Sequence, residues 1–438
     1  MKRIKKNDNK PIVGFFPCFT SIGEALPLLK IAKIYQKKGG KLIIFSHGGK
    51  FEHLSKDIDC KLIKLKRITW EKKIDELRKK GKIDKIPYEK ILFAVYDKNL
   101  IESFVKDEIQ AFKKAGVDII ITTFNPTASV SVRALNIPLI VITSGTSIPP
   151  YYRQASISFP ENYENAIFKL IPDYIKNQIA KYILLNSKIL VRDFNRVAKK
   201  YGVKPFNNIN DILLGDYNFI CDDINFLGIE PTKKFPIENF IGPISGGLLE
   251  KQKDTLDADI KRHINRPGKS ILLMMGNTRD KKLYLNIMKA LNTTNHNVIA
   301  VYTTIEEKNL PKVNENILLK KFIKSPKLVN KLVDLSIIHG GRGTVYTSAY
   351  SGKPIIGIPM YCEHQYNIDN IVTKGAGIRL SKKFFKKSDL LDAINTIFSD
   401  YDTYLKNAQK LSETLTKEPG EKKATKRLIE IVKKNIVS

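Results

Sequence analysis

The segment SIIHGGRGTVYTSAYSGKPIIGIPM, residues 336–360, constrains the fold more than any other part of the chain. A short apolar run of strand length enters Gly340, Gly341 and Gly343. A helix is predicted from near Thr344, and a second apolar run, KPIIGIPM, reads as the next strand. Strand, glycine turn, helix and returning strand make a βαβ unit, and its two strands must be parallel. Glycines let a ligand approach the backbone closely, while the first helical turn offers unpaired N–H groups and a partial positive charge. The ligand suited to such a turn is a diphosphate. His339 stands at the C-terminal end of the strand, where open α/β sheets bind ligands.

The same alternation runs through most of the chain, so the predicted class is α/β with parallel sheets. PIVGFFP, KLIIFSHGG, AGVDIIITT and IPLIVITSG read as strands of a first unit, with helices predicted over GEALPLLKIAKIYQKKGG and ASVSVRALN. Residues 166–185 and 187–203 read as helices whose apolar faces are either core or a wall for an acceptor or a membrane. After the turn-rich IGPISGG, a second series begins. KSILLMMGN, HNVIAVYTT, LLKKFI and SIIHGG are its strands, with helices over LYLNIMKAL and SPKLVNKLVD. The expected division is a first domain over 1–241 and a second over 242–438, with the tail helices in the second.

The motif continues past the helix to Gly352, Pro354, Pro359, Glu363 and Asn367, and later to KGAGIRL. In this the chain resembles the nucleotide-sugar glycosyltransferases of the UDP-glycosyltransferase, macrolide, sterol and glycopeptide group. Their donor signature runs HGGxGT, GxP, a strand ending in Pro, a D/E-Q pair and Asn. The resemblance implies a GT-B fold, two Rossmann-like domains facing across a cleft. It implies a donor site in the second domain made by His339, Gly340, Gly341, Gly343 and Thr344, with Gly276, Asn277 and Thr278 near the diphosphate. Phe322 is expected to stack on the base and Ile323 to offer its backbone. Glu363, with His364 or Gln365, is expected at the sugar hydroxyls. The ribose-binding Glu of the family is replaced by Thr347. Relatives carry G-H-x-x-P after the first strand, with His as the general base; here Gly23-Glu24-Ala25-Leu26-Pro27 puts Glu24 at that place. A desolvated carboxylate can take a hydroxyl proton if its pKa is tuned upward, and the competing role is that of an acidic first-turn helix residue. His47, at the end of a strand, is expected to cap a loop.

Composition limits the partners. Lys and Arg number 75 against 44 Asp and Glu, a net charge of +31 that draws polyanions. No zinc-finger spacing or RNP-type aromatic motif accompanies the lysines, so nucleic acid is not expected. Basic segments beside apolar ones favour an anionic membrane surface instead. The basic N-terminus lacks the apolar core of a signal peptide, and the scattered Cys18, Cys60, Cys221 and Cys362 suit a reducing compartment. A cytoplasmic location is expected, with the inner membrane face as a place of attachment. Neither a metal nor a cofactor is expected. The expected partners are a nucleotide sugar, most often UDP-linked, and a hydrophobic or lipid-linked acceptor. The expected activity is inverting, metal-independent sugar transfer. Two alternatives are a nucleotide-sugar epimerase or hydrolase on the same fold, and a non-catalytic membrane-surface partner with a degenerate donor site.

Overall fold

The computed structural model describes residues 10–67, 96–165, 168, 170–244, 255–276, 280–303 and 305–437. The first half contains β1 (Ile12–Phe16), α1 (Ile22–Lys37), β2 (Lys41–Ser46), β3 (Lys61–Lys64), α2 (Lys98–Ala115), β4 (Ile119–Thr122), α3 (Ala128–Ala134) and β5 (Leu139–Thr143). It continues through α4 (Pro149–Gln154), α5 (Asp173–Asn186), α6 (Val191–Lys200), α7 (Ile209–Leu213), β6 (Tyr217–Ile220) and α8 (Ile224–Leu227). The second half contains α9 (Ala258–Ile264), β7 (Ser270–Met274), α10 (Lys281–Leu291), β8 (Asn297–Val301), β9 (Ile317–Lys320), α11 (Pro326–Leu332) and β10 (Leu335–Ile338). Then follow α12 (Arg342–Ala349), β11 (Ile355–Gly357), α13 (Cys362–Val372), β12 (Gly377–Arg379), α14 (Lys387–Ser399), α15 (Tyr401–Thr414) and α16 (Gly420–Val437).

Among the described residues the strands form two six-stranded sheets, ordered β3-β2-β1-β4-β5-β6 and β12-β11-β10-β7-β8-β9. Every ladder is parallel. Helices cover both faces of such sheets, which is why the strands are unbroken apolar runs rather than alternating ones. The residues of β4, IIIT, are all buried, as are those of β8, NVIAV. In each sheet the strand order reverses beside the first strand in sequence, between β1 and β4 and between β7 and β10. These are the switch points at which the loops part and leave a crevice.

Three local differences from the sequence expectations have simple causes. Helix α5 starts at Asp173 rather than at 166, because Pro172 fits a helix start and disfavours helical backbone before it. Residues 166, 167 and 169 lie outside the described ones. Strand β9 ends at Lys320, so Phe322 lies beyond it. The last helix also departs from the expected division. Helix α16 packs on α1, and its Ala424, Leu428, Ile431 and Val432 join the core of the first domain with Leu28 and Ile31. It leaves the second domain because its apolar stripe completes the first.

The two halves share a core as well as a cleft. Tyr151 and Tyr152 of α4 and Phe226 of α8 pack in one apolar cluster with Tyr346 of α12 and Tyr366 of α13. Tyr151 donates to Asn370 Oδ1 at 3.0 Å, and Tyr346 Oη accepts from the Asp223 N–H at 2.8 Å. These contacts fix the spacing between the two switch points.

Candidate functional site

At the second sheet's switch point, Gly276 follows β7 and His339 follows β10. A Cβ on Gly276 would come within 2.5 Å of the His339 ring, and one on Gly341 equally close, so the imidazole fills a slot that only glycines leave open. Burial pushes the pKa of His339 down to about 4, so the ring is neutral at physiological pH, and its buried Nδ1 has no partner among the described residues. Gly340 has φ +87° and a Cβ there would lie 2.6 Å from the His364 carbonyl oxygen, so the turn cannot accept a side chain. Asn367 ties this turn to α13 by donating to the Gly340 carbonyl at 3.0 Å.

Helix α12 begins at Arg342 with Gly341 as its N-cap, two residues before the expected Thr344. Gly343 faces open space at the first turn, and Thr344 is half-buried beside it. Phe322 is 63% exposed, while the Ile323 side chain is buried and leaves only its backbone to a ligand. Asn277 and Thr278 lie outside the described residues. Thr347 donates its hydroxyl to the Gly343 carbonyl at 2.7 Å, within its own helix.

Of the three residues expected at the sugar hydroxyls, Glu363 is the half-buried one. His364 is buried, 3.8 Å from the Tyr361 ring and 4.9 Å from His339, and burial holds its pKa well below the usual range. The structure does not bring Gln365 to the site. Its amide is spent on the other domain: Oε1 accepts from the Glu161 N–H at 2.9 Å, and Nε2 donates to Ser158 at 2.6 Å and to the Phe159 carbonyl at 2.9 Å.

At the first sheet's switch point, Glu24 sits in the first turn of α1, after β1, and takes the Phe124 N–H beyond β4. Its pKa is raised, chiefly by burial; Arg342 opposes the shift and Glu363 adds to it. Glu24 of one domain and Arg342 and Glu363 of the other thus share one field across the cleft. The Arg342 guanidinium is the centre of that field. Desolvation disfavours its charge, but Cys221, Asp222, Glu363 and Glu24 together hold its pKa above the ordinary value. Neither Arg342 nor Asp222 was singled out by the sequence reading. Arg342 occupies the variable position of HGGxGT. Asp222 stands two residues past β6, at a C-terminal strand end, and that position is the signal that could have found it.

Asp222 is fully buried. Its Oδ2 accepts from the Gly145 N–H at 2.6 Å and the Ser144 hydroxyl at 3.3 Å, while Oδ1 has no partner among the described residues. Burial raises its pKa to about 6, against the opposing pull of Arg342. An unfolded aspartate titrates near 3.9, about two units lower. The stabilisation is therefore complete below about pH 4 and is lost as pH rises through 6, a total of about 3 kcal/mol. Asp222→Asn should flatten this part of the pH dependence. Urea unfolding at several pH values between 4 and 8 measures it, and an unchanged slope in the variant would refute the assignment. Among the described residues no group of three His, Cys, Asp or Glu could hold a metal ion.

The profile of the family described as "UDP-glucoronosyl and UDP-glucosyl transferase" matches residues 66–422. The chain is 25% identical to human (Homo sapiens) 2-hydroxyacylsphingosine 1-beta-galactosyltransferase over 241 residues, 53% of this chain and 43% of that one. It is 26% identical to human UDP-glucuronosyltransferase 1A6 over 283 residues, 63% of this chain and 49% of that one. The chain thus spans about half the length of the curated relatives it matches. Among solved structures it resembles CalG4, the calicheamicin glycosyltransferase, with a TM-score of 0.67 and 14% identity over 97% of this chain and 98% of that one. It also resembles Phytolacca americana UGT2 complexed with UDP-2fluoro-glucose and pterostilbene, with a TM-score of 0.64 and 12% identity over 97% of this chain and all of that one. At these identities the structural likeness concerns the fold.

Proposed function

Because the chain belongs to the UDP-glucuronosyl and UDP-glucosyl transferase family, we propose that it transfers a sugar from a UDP-linked donor to a hydroxyl of a hydrophobic or lipid-linked acceptor, with inversion and without a metal ion. The observation that carries this reading is the meeting of Glu24, from the first domain, with Arg342 and Glu363, from the second, at the start of α12. In the reaction the acceptor oxygen gives its proton to the Glu24 carboxylate and attacks the anomeric carbon. The bond from that carbon to the diphosphate oxygen breaks on the opposite face, and its electron pair leaves with the diphosphate. The N–H groups of the first turn of α12 and the Arg342 charge stabilise the leaving group, the part that a cation plays elsewhere. Phe322 stacks on the base, the Ile323 backbone reads its edge, and Glu363 holds sugar hydroxyls. His339, being neutral, supports the turn and does not add charge.

Mass analysis of products from a panel of UDP-sugars, with and without hydrophobic alcohols, tests the reading. Sugar on the acceptor with inverted configuration supports it. An epimerised or hydrolysed donor in the absence of acceptor favours the epimerase or hydrolase instead, and failure to bind any nucleotide sugar favours a non-catalytic partner. Phe322→Ala should raise the donor KM by about tenfold at little cost in kcat, since a base–aromatic stack contributes roughly 1–3 kcal/mol. Steady-state kinetics over donor concentration measures this, and an unchanged KM would remove Phe322 from the base site.

A further inference from the structure

Helix α5 and the residues beside it carry an apolar face that nothing among the described residues covers. Tyr174, Tyr182 and Ile183 are 70%, 69% and 51% exposed, and Leu170 before the helix is 86% exposed. Positions 174, 175 and 182 fall within about 100° of one another around the helix, and 183 lies at the edge of the same exposed half. The other side buries Lys176 and Ala180 and packs on α4. Exposed contiguous apolar surface of this kind marks an interaction site.

The charge around the face says what it meets. Between Leu170 and Lys204 the acidic residues are Asp173 and Asp193 alone, against eight lysines and arginines. Lys176 lies 2.7 Å from both Asp173 and Glu164, so the acids nearest the face are already neutralised. Lys181, Lys188, Lys199 and Lys204 make no ion pair among the described residues. Beside α5, Leu185 lines a cavity of about 360 Å³ with an apolar floor that includes Pro150 and Phe235. Arg153, Lys233 and Lys234 line the same cavity and are exposed. Tyrosines with aliphatics, ringed by cations, match the boundary between headgroups and acyl chains. A second copy of this chain would bring the same cations face to face, on a molecule of net charge +31, and is disfavoured.

We propose that this face docks on an anionic phospholipid bilayer, with Leu170, Tyr174, Tyr182 and Ile183 entering the interface. Lys181, Lys188 and the cations of the cavity then meet lipid phosphates. No helix among the described residues is long and apolar enough to cross a membrane, and the contact here is one of surface. The inference does not depend on the transfer chemistry, because its readout is lipid binding.

The test is co-flotation of the full chain with phosphatidylglycerol–phosphatidylcholine vesicles, against phosphatidylcholine alone, at low and high salt. Binding should need the anionic lipid and fall with salt. The variant Y174S/Y182S/I183S should lower the partition coefficient by about tenfold or more, since its lost groups supply the buried apolar area. K181E/K188E should lower it further at low salt than at high salt. Both variants change exposed side chains, and circular dichroism with unchanged melting confirms that they fold. The proposal fails if the chain ignores anionic vesicles at low salt, or if the triple variant floats as well as the parent. It also fails if the parent is a dimer that the triple variant makes monomeric.

Discussion

Replacing Glu24 by glutamine should reduce kcat for sugar transfer by about 10²- to 10⁴-fold, the range that a positioned general base contributes. Glutamine keeps the shape and can still accept the Phe124 N–H, but it cannot take a proton. In the proposed reaction the donor is held by the other domain, at Phe322, α12 and Glu363, so UDP binding measured by calorimetry should not change. A first-turn acid acting only on the helix dipole contributes roughly 0.3–1 kcal/mol of stability and no rate, so the two roles differ in what they move. The pH profile adds a second readout. Burial and Glu363 raise the pKa of Glu24, which places the acid limb of kcat/KM above the ordinary carboxylate range. A variant that turns over at the parental rate would end the assignment of Glu24 as base.

Glu108→Ala should cost about 3 kcal/mol or more of stability, because each buried polar group left without its partner costs roughly 1–3 kcal/mol. Glu108 lies on α2 with no exposed surface. It accepts from Thr127 at 2.5 Å and from Ser131 at 2.6 Å, and faces His47 Nε2 at 2.9 Å. His47 Nδ1 donates to the Lys66 carbonyl at 2.6 Å, and its ring stacks on Phe104 at 4.4 Å. One carboxylate therefore joins the end of β2, the middle of α2 and the start of α3. Alanine leaves two hydroxyls and an imidazole buried without their acceptor. Urea unfolding gives the loss, and a change below about 1 kcal/mol would mean that water or repacking replaces the carboxylate. Loop capping, expected for His47 from its place at a strand end, is thus half of its role; the other half is the bond to Glu108.

The parts of the site that could be read in the sequence are those that local pattern specifies. HGGRGT is a strand end, a glycine turn and a helix start, and each of the three has its own signature. The slot for His339 follows from glycines at 276 and 341, both visible in the sequence. Glu24 was singled out because Gly23-Glu24-Ala25-Leu26-Pro27 stands where the family it resembles carries G-H-x-x-P. What escaped depends on chain segments far apart. The amide of Gln365 is claimed by Ser158, Phe159 and Glu161, about two hundred residues away, and no motif records that claim. Asp222 and Arg342 have meaning only once the two domains face each other, because each lies in the other's field. The fold was legible in the same degree. Parallel strands are apolar and easily seen, whereas the return of α16 is a matter of which surface lacks cover.

That return has a consequence for how the protein is made. Leu28 and Ile31 of α1 leave the ribosome ahead of the whole second sheet, and Leu428, Ile431 and Val432, which share their core, leave after it. Domains usually fold as they emerge, the N-terminal one first. Here the core of the first domain closes only after the second sheet has been made. Until then the apolar face of α1 is uncovered, and a chain cut between the second sheet and α16 holds a complete second sheet beside a first domain that has not closed. Of the two sheets, the one begun first is the one whose core closes last.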